Sequence, residues 1–263
     1  MLRIFIASLL SAISLMAHAD LLDTIKTRGF LIVGTLPDQP PFAIRNANRT
    51  FSGYDIDFAA LIARKMGVKL KIQDLDPTDR IGTVKSGKID VLVATFTKTL
   101  EREREVSCSL GYFVTSKKIL SRKGRYKTAE SLANARIGVS KGTTDEIISH
   151  KLYPKATIVT FPDMPEAAYA LEQDRIDAMM DDEAALAGKL SQMRNRSLYE
   201  ISDYSSATET FAIATKLGEK RLMNLINEAL IEAEHNGEAV QIFNRWFGPQ
   251  TSTPFLRTFR IQG

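Results

Sequence analysis

The sequence predicts an α/β protein of two lobes, each a parallel-dominated sheet flanked by helices. Short β-branched runs alternate with segments of helical period, the pattern of βαβ units. That alternation occurs in two series, one before and one after Tyr112. The chain has 263 residues, and about 240 remain beyond its first segment, enough for two domains of about 100 each.

In the first series Phe30 to Thr35 reads as a strand and Asp55 to Met66 as a helix. Strand Lys69 to Asp74 and helix Arg80 to Ser86 follow, then strand Asp90 to Ala94 and helix Leu100 to Val106. The second series runs Arg136 to Val139, Thr144 to Leu152, Thr157 to Phe161, Pro165 to Gln173 and Ala178 to Asp181. Tyr204 to Thr208 is small and polar and reads as a connection into a strand at Phe211 to Thr215. Leu222, Leu225, Ile226, Ala229, Leu230 and Ala233 then recur at helical spacing, and Asn236-Gly237 supplies the stop. A last short helix carries Val240, Phe243, Trp246 and Phe247.

At the N-terminus, Arg3 precedes an apolar run from Ile4 through Met16, and Ala17-His18-Ala19 fits the small-x-small cleavage pattern. Residues 1–19 are therefore expected to be a signal peptide cleaved after Ala19. The run is too short and too interrupted by serines for a bilayer span of about 20 apolar residues. No cysteine stands at the cleavage site to take a lipid, so the expected product is a soluble periplasmic protein. The single Cys108 excludes an intramolecular disulfide and any multi-cysteine metal site. Lys and Arg number 35 against 31 Asp and Glu, and the signs are interspersed, which argues against nucleic-acid binding. His150 and His235 have no partners at metal-ligand spacing, and no cofactor is expected.

Ligands of open parallel sheets bind beyond the carboxyl ends of strands. Four loops fall there: Leu36 to Pro41, Thr95 to Arg102, Ser140 to Thr144, and Asp181-Asp182. In the second, Thr97 or Thr99 can cap the following helix, placing Arg102 in its first turn. A cation beside the positive end of a helix dipole is unfavourable unless it faces an anion. A guanidinium fork with threonine hydroxyls suits a carboxylate; pairing of Arg102 with Glu101 or Glu105 is the surface alternative. On the other wall, one of Asp181 and Asp182 can cap a helix and the other can accept from an ammonium.

At these residues the sequence resembles the family 3 solute-binding proteins, the polar amino-acid receptors of ABC importers, over essentially the whole mature chain. The resemblance is carried by Phe42, Gly53-Tyr54-Asp55-Ile56-Asp57, Arg80, Ser86 to Asp90, Ala94 to Arg102, Gly138 to Thr144, Asp174 to Asp182, and Arg245-Trp246-Phe247-Gly248. It implies the two-lobed type II periplasmic-binding-protein fold, with two hinge strands near Tyr112 to Ser116 and Ser205 to Thr210. The first lobe is then 20–112 plus 208–263, and the second is 113–207. It also implies that Thr95, Thr97 and Arg102 hold the ligand α-carboxylate, that Asp182 holds the α-ammonium, and that Thr143 and Thr144 add donors from the second lobe. Arg80 is similar to the arginine of glutamate and aspartate receptors, so these ligands are expected before glutamine and asparagine; an arginine at that place also occurs more widely as a structural helix-start residue. The loop Thr35 to Gln39 lacks the second cation of some acidic-ligand receptors.

Two further departures are Val106 to Tyr112, which lacks the usual acidic-aromatic pair and proline, and Met164, where some acidic receptors carry an aromatic. The expected protein is a monomeric receptor, not an enzyme, whose partner is a membrane permease. The competing readings are a cyclohexadienyl dehydratase using Glu146 as general acid, and a sensory module with a separate membrane partner.

Overall fold

The computed structural model describes residues 20–262. The expected signal peptide lies outside the described residues. The order begins α1 (Leu21–Arg28), β1 (Phe30–Thr35), β2 (Ile44–Arg45), β3 (Phe51–Ser52), α2 (Tyr54–Met66) and β4 (Lys69–Asp74). It continues with α3 (Arg80–Lys85), β5 (Val91–Leu92), α4 (Leu100–Glu103) and the 17-residue β6 (Val106–Arg122). Next come β7 (Arg136–Ser140), α5 (Thr144–Leu152), β8 (Thr157–Phe161), α6 (Met164–Glu172), β9 (Ala178–Asp182) and α7 (Glu183–Gln192). The chain closes with β10 (Tyr199–Ile201), β11 (Ala207–Lys216), α8 (Lys220–His235) and α9 (Glu238–Phe247).

One curled mixed sheet runs in the order β4-β1-β5-β11-β6-β9-β7-β8, with β10 on the far end of β6. Its outer thirds are parallel, β1 with β4 and β5 on one side and β7 with β8 and β9 on the other. Between them β11 and β6 pair antiparallel, from Ala207 opposite Lys117 to Lys216 opposite Val106. Helices cover the faces, as parallel strands buried on both sides require. The fold is thus the two-lobed α/β architecture of periplasmic binding proteins.

Several expected boundaries move, for physical reasons. The helix expected to reach Val106 ends at Glu103, because Val106 pairs with Lys216 in the sheet. The strand expected at Phe211 starts at Ala207, since Ala207 and Thr208 find backbone partners in Lys117 and Ser116. Strand β5 keeps only Val91 and Leu92 of the expected Asp90 to Ala94. Helix α1, not expected from periodicity, is capped by Asp20, whose carboxylate accepts from Leu22 N at 2.9 Å, and stopped by Gly29 in the left-handed region.

The apolar core beside the junction is aromatic. Phe113 on β6 packs against Phe42 and Phe247, each at 5.0 Å between ring centroids, and against Tyr54 at 5.2 Å. Phe211 on β11 stacks on Phe113 at 5.8 Å. All five rings are at most 2% exposed, so the centre of the sheet is anchored where its two shared strands meet.

Candidate functional site

The loop after β5 is fixed from below. Asp55, in the first turn of α2 and 1% exposed, accepts from Thr95 N at 2.9 Å and from the Tyr112 hydroxyl at 2.7 Å. Burial pushes its carboxyl up to about 7, against the lowering effect of those two donors. Tyr54 completes the chain by donating to Tyr112 O at 2.7 Å. Thr95 needs this support because it sits at φ 43°, a strained region for a β-branched residue.

Beyond Thr95 the loop turns its polar atoms toward the opposite half of the sheet. Thr99, rather than Thr97, caps α4 by accepting from Arg102 N. The Thr97 hydroxyl instead donates to Glu209 Oε2 at 2.6 Å. Arg102 forms no ion pair with Glu101 or Glu105; its guanidinium lies over the Phe96 ring, 4.5 Å from the centroid. It donates to Thr97 O at 2.9 Å and to Gly142 O at 3.5 Å. Arg80, 3% exposed, has its nitrogens on three carbonyls: Pro77 O at 3.0 Å, Ala94 O at 3.2 Å and Gly142 O at 3.3 Å. Burial, and then the neighbouring Arg102, bring the Arg80 guanidinium down to about 9.

Gly142, in the turn after β7, is the point where both arginines touch the other half of the molecule. It sits at φ 76°, and a Cβ there would lie 3.1 Å from Thr78 Cα. Gly188 of α7 approaches still closer: a Cβ would fall 1.9 Å from Pro40 O. The two halves therefore meet in direct contact on both sides of the cleft.

The second wall is ionic. Lys117 of β6, 1% exposed, reaches Asp145 at 2.8 Å, Glu209 at 3.0 Å and Asp182 at 3.1 Å. Burial alone would lower its ammonium, but Asp145, Asp182 and Glu209 outweigh that and hold it well above the usual lysine range. Burial raises Asp145 and Asp181, and lifts Asp182 to about 7 against the pull of Lys117. Neither aspartate at the end of β9 caps α7: Asp181 Oδ1 accepts from Asp182 N at 2.7 Å, and Asp182 Oδ1 is buried without a hydrogen-bond partner. Thr144 Oγ1 donates to Glu209 Oε2 at 2.9 Å, while Thr143 caps α5 and donates to Ser140 O at 2.6 Å.

These walls line a partly open pocket of about 70 Å³. Arg80, Thr95, Thr97, Arg102, Thr143, Thr144 and Asp182 all line it, and Met164 joins them from α6. Sequence reasoning missed Lys117, Asp145 and Glu209. A signal existed for Lys117, which falls in phase with Phe113 and Ile119 on a strand of period two and so points inward. Glu146 does not line the pocket; its carboxylate accepts from Gly142 N at 2.8 Å. Among the described residues, Asp145, Asp181 and Asp182 are the group with carboxylate spacing fit for a metal ion, and Lys117 already provides a cation there.

A polar pocket at the junction of two sheet halves that share two long strands defines a two-lobed ligand-binding protein. The family model for bacterial extracellular solute-binding proteins, family 3, matches residues 31–249, and the chain belongs to that family. It is 31% identical to the ABC transporter glutamine-binding protein GlnH of Bacillus subtilis, covering 86% of this chain and 84% of that one. It is 27% identical to the L-cystine-binding protein TcyJ of Escherichia coli, covering 94% of each. Among solved structures, the ancestral amino acid-binding protein AncCDT-1, a precursor of cyclohexadienyl dehydratase, superposes with a TM-score of 0.81 at 29% identity. That match covers 87% of this chain and all of the other. Among the described residues no helix is long and apolar enough to cross a membrane.

Proposed function

We propose that this protein is the extracytoplasmic receptor of an ABC importer and holds a polar L-amino acid between its lobes. The observation that carries the reading is the presence of Arg102 and Asp182 on opposite walls of one buried pocket. Arg102, with Thr95, and with Thr97 once its hydroxyl turns from Glu209, receives the α-carboxylate, and the unpartnered Asp182 Oδ1 accepts from the α-ammonium. Each charge-assisted hydrogen bond in such a cleft contributes about 1.5–3 kcal/mol. Thr144 and the turn around Thr143 complete the second wall.

The exported chain works in the periplasm and presents its closed form to a membrane permease. Closure moves 113–207 against 20–112 and 208–263, with β6 and β11 as the flexing strands, and the ligand favours the closed population. Glutamate or aspartate draws support from Arg80 on the pocket wall, but the carbonyls around Arg80 already take three of its five N–H donors. The dehydratase alternative finds little support, because Glu146 stands outside the pocket.

A thermal-shift panel of the twenty amino acids tests the proposal, since a ligand bound only by the folded form raises its apparent stability. At least one polar amino acid should raise Tm in a concentration-dependent way. Twenty flat responses would refute it.

A further inference from the structure

The lining of the cleft is more acidic in composition than the chain as a whole. The sequence carries a formal net charge of +4, yet its pocket is lined by twice as many carboxylates as cations. The three cations are Arg80, Arg102 and Lys117, of which Lys117 alone is ion-paired among the described residues. Lys117 is surrounded by carboxylates, Arg80 is bound to carbonyls, and Arg102 is the proposed carboxylate partner.

Among the carboxylates, Asp145, Asp181 and Asp182 lie deep, and Asp182 Oδ1 accepts no hydrogen bond although its residue is only 4% exposed. Asp38, Asp76 and Asp163 stand elsewhere around the lining, the first two exposed and the third half-buried. None of these three forms an ion pair among the described residues. Lys189 feels Asp38 and Asp163, but its Nζ turns to Gln192 Oε1 and it does not line the pocket. The apolar part of the lining is made by Leu36, Pro37, Leu75, Pro77, Met164 and Pro165. Aliphatic walls combined with carboxylates that lack a counter-ion match an apolar stem that ends in a positive charge.

We infer that the cleft selects an amino acid with a cationic side chain, an ammonium or guanidinium on an aliphatic stem, over neutral and acidic ones. This rests on the reading of the pocket as an amino-acid site and names the ligand class within it. The α-carboxylate and α-ammonium take Arg102 and Asp182, and the stem follows the aliphatic wall. The terminal cation meets the carboxylates Asp76 and Asp163, which have no counter-ion of their own, although Asp163 Oδ1 also caps α6 by accepting from Glu166 N at 2.9 Å. An acidic ligand would instead bring a second carboxylate into a lining with twice as many carboxyl groups as cations, where Arg80 already gives three of its five N–H donors to carbonyls.

Titration calorimetry of the protein with L-arginine, L-lysine, L-citrulline, L-glutamine and L-glutamate tests this. Citrulline has nearly the shape of arginine without its charge, so arginine should bind about tenfold or more tightly than citrulline, and glutamate should be weakest. Asp76→Asn and Asp163→Asn should each narrow the arginine-to-citrulline ratio by about threefold or more, whereas a merely structural role would shift both ligands alike. Equal affinity for arginine and citrulline, or tighter binding of glutamate or glutamine than of either basic amino acid, overturns the cationic selection and leaves the amino-acid reading standing. Absence of binding by all five, together with a flat thermal-shift panel, overturns both.

Discussion

Strands β6 and β11 build two different interiors a few residues apart. At Phe113 and Phe211 they face a cluster of aromatic rings; at Lys117 and Glu209 they face an ionic cage. Both regions are almost wholly buried. The aromatic one gains free energy from apolar burial and ring packing. In the ionic one, desolvation of the charges offsets much of their mutual attraction, so burial there contributes little net stability. What the ionic region provides is a pocket wall whose charges are already stripped of water and held in place, ready for a ligand's own charges.

This contrast can be broken by pH. Phe113→Ala should lower unfolding free energy by about 3–5 kcal/mol, with nearly the same loss at pH 5 and pH 8, as a cavity in an apolar core does. Lys117→Met should cost a similar 3–5 kcal/mol at pH 8, because it leaves buried carboxylates without a counter-ion. At pH 5 its cost should shrink. Asp145, Asp181 and Asp182 have folded-state pKa values raised above the unfolded carboxylate range, so the folded state binds more protons than the unfolded one between about pH 4 and 7. Loss of the lysine enlarges that difference, and acid relieves it. Chemical denaturation of both variants at the two pH values measures this; equal pH profiles would show that Lys117 is no more electrostatic in role than Phe113.

A smaller effect concerns binding. In the free cleft Asp182 is lifted to about 7, whereas a bound ammonium favours its charged form and lowers that value. Binding below pH 7 therefore releases a proton. Affinity should fall on acidification by up to about tenfold per pH unit and level off above neutrality. Calorimetry in buffers of different ionisation enthalpy would detect the proton, and affinity independent of pH from 5 to 8 would remove Asp182 from the ammonium's place.

The elements with strong periodicity were legible in the sequence. Strands β1, β4 and β8 and helix α5 span the residues expected, because each is a β-branched or amphipathic run bounded by clear stops. The full length of the shared strands was not, although Phe211 to Thr215 read as a strand and the resemblance implied hinge strands near Tyr112 to Ser116 and Ser205 to Thr210. β6 contains Ser107, Ser109, Gly111 and Thr115, and its pairing comes from β11 almost a hundred residues later, so no local pattern announces it. The same holds for the pocket. Thr95 to Arg102 and Asp181-Asp182 are contiguous motifs, readable as such. Lys117, Asp145 and Glu209 become a cage only when β6, α5 and β11 are brought together. Arg80 shows the opposite case: its place on the wall was legible, but not the three carbonyls that occupy it.

The central claim is that Arg102 receives the carboxylate of an amino acid inside this cleft. Titration calorimetry of Arg102→Ala with the tightest amino acid of the wild-type panel tests it most directly. The account predicts a loss of about 2–5 kcal/mol in binding free energy, because a buried carboxylate is left unpaired. An affinity unchanged from wild type, in a variant that melts cooperatively, would contradict it.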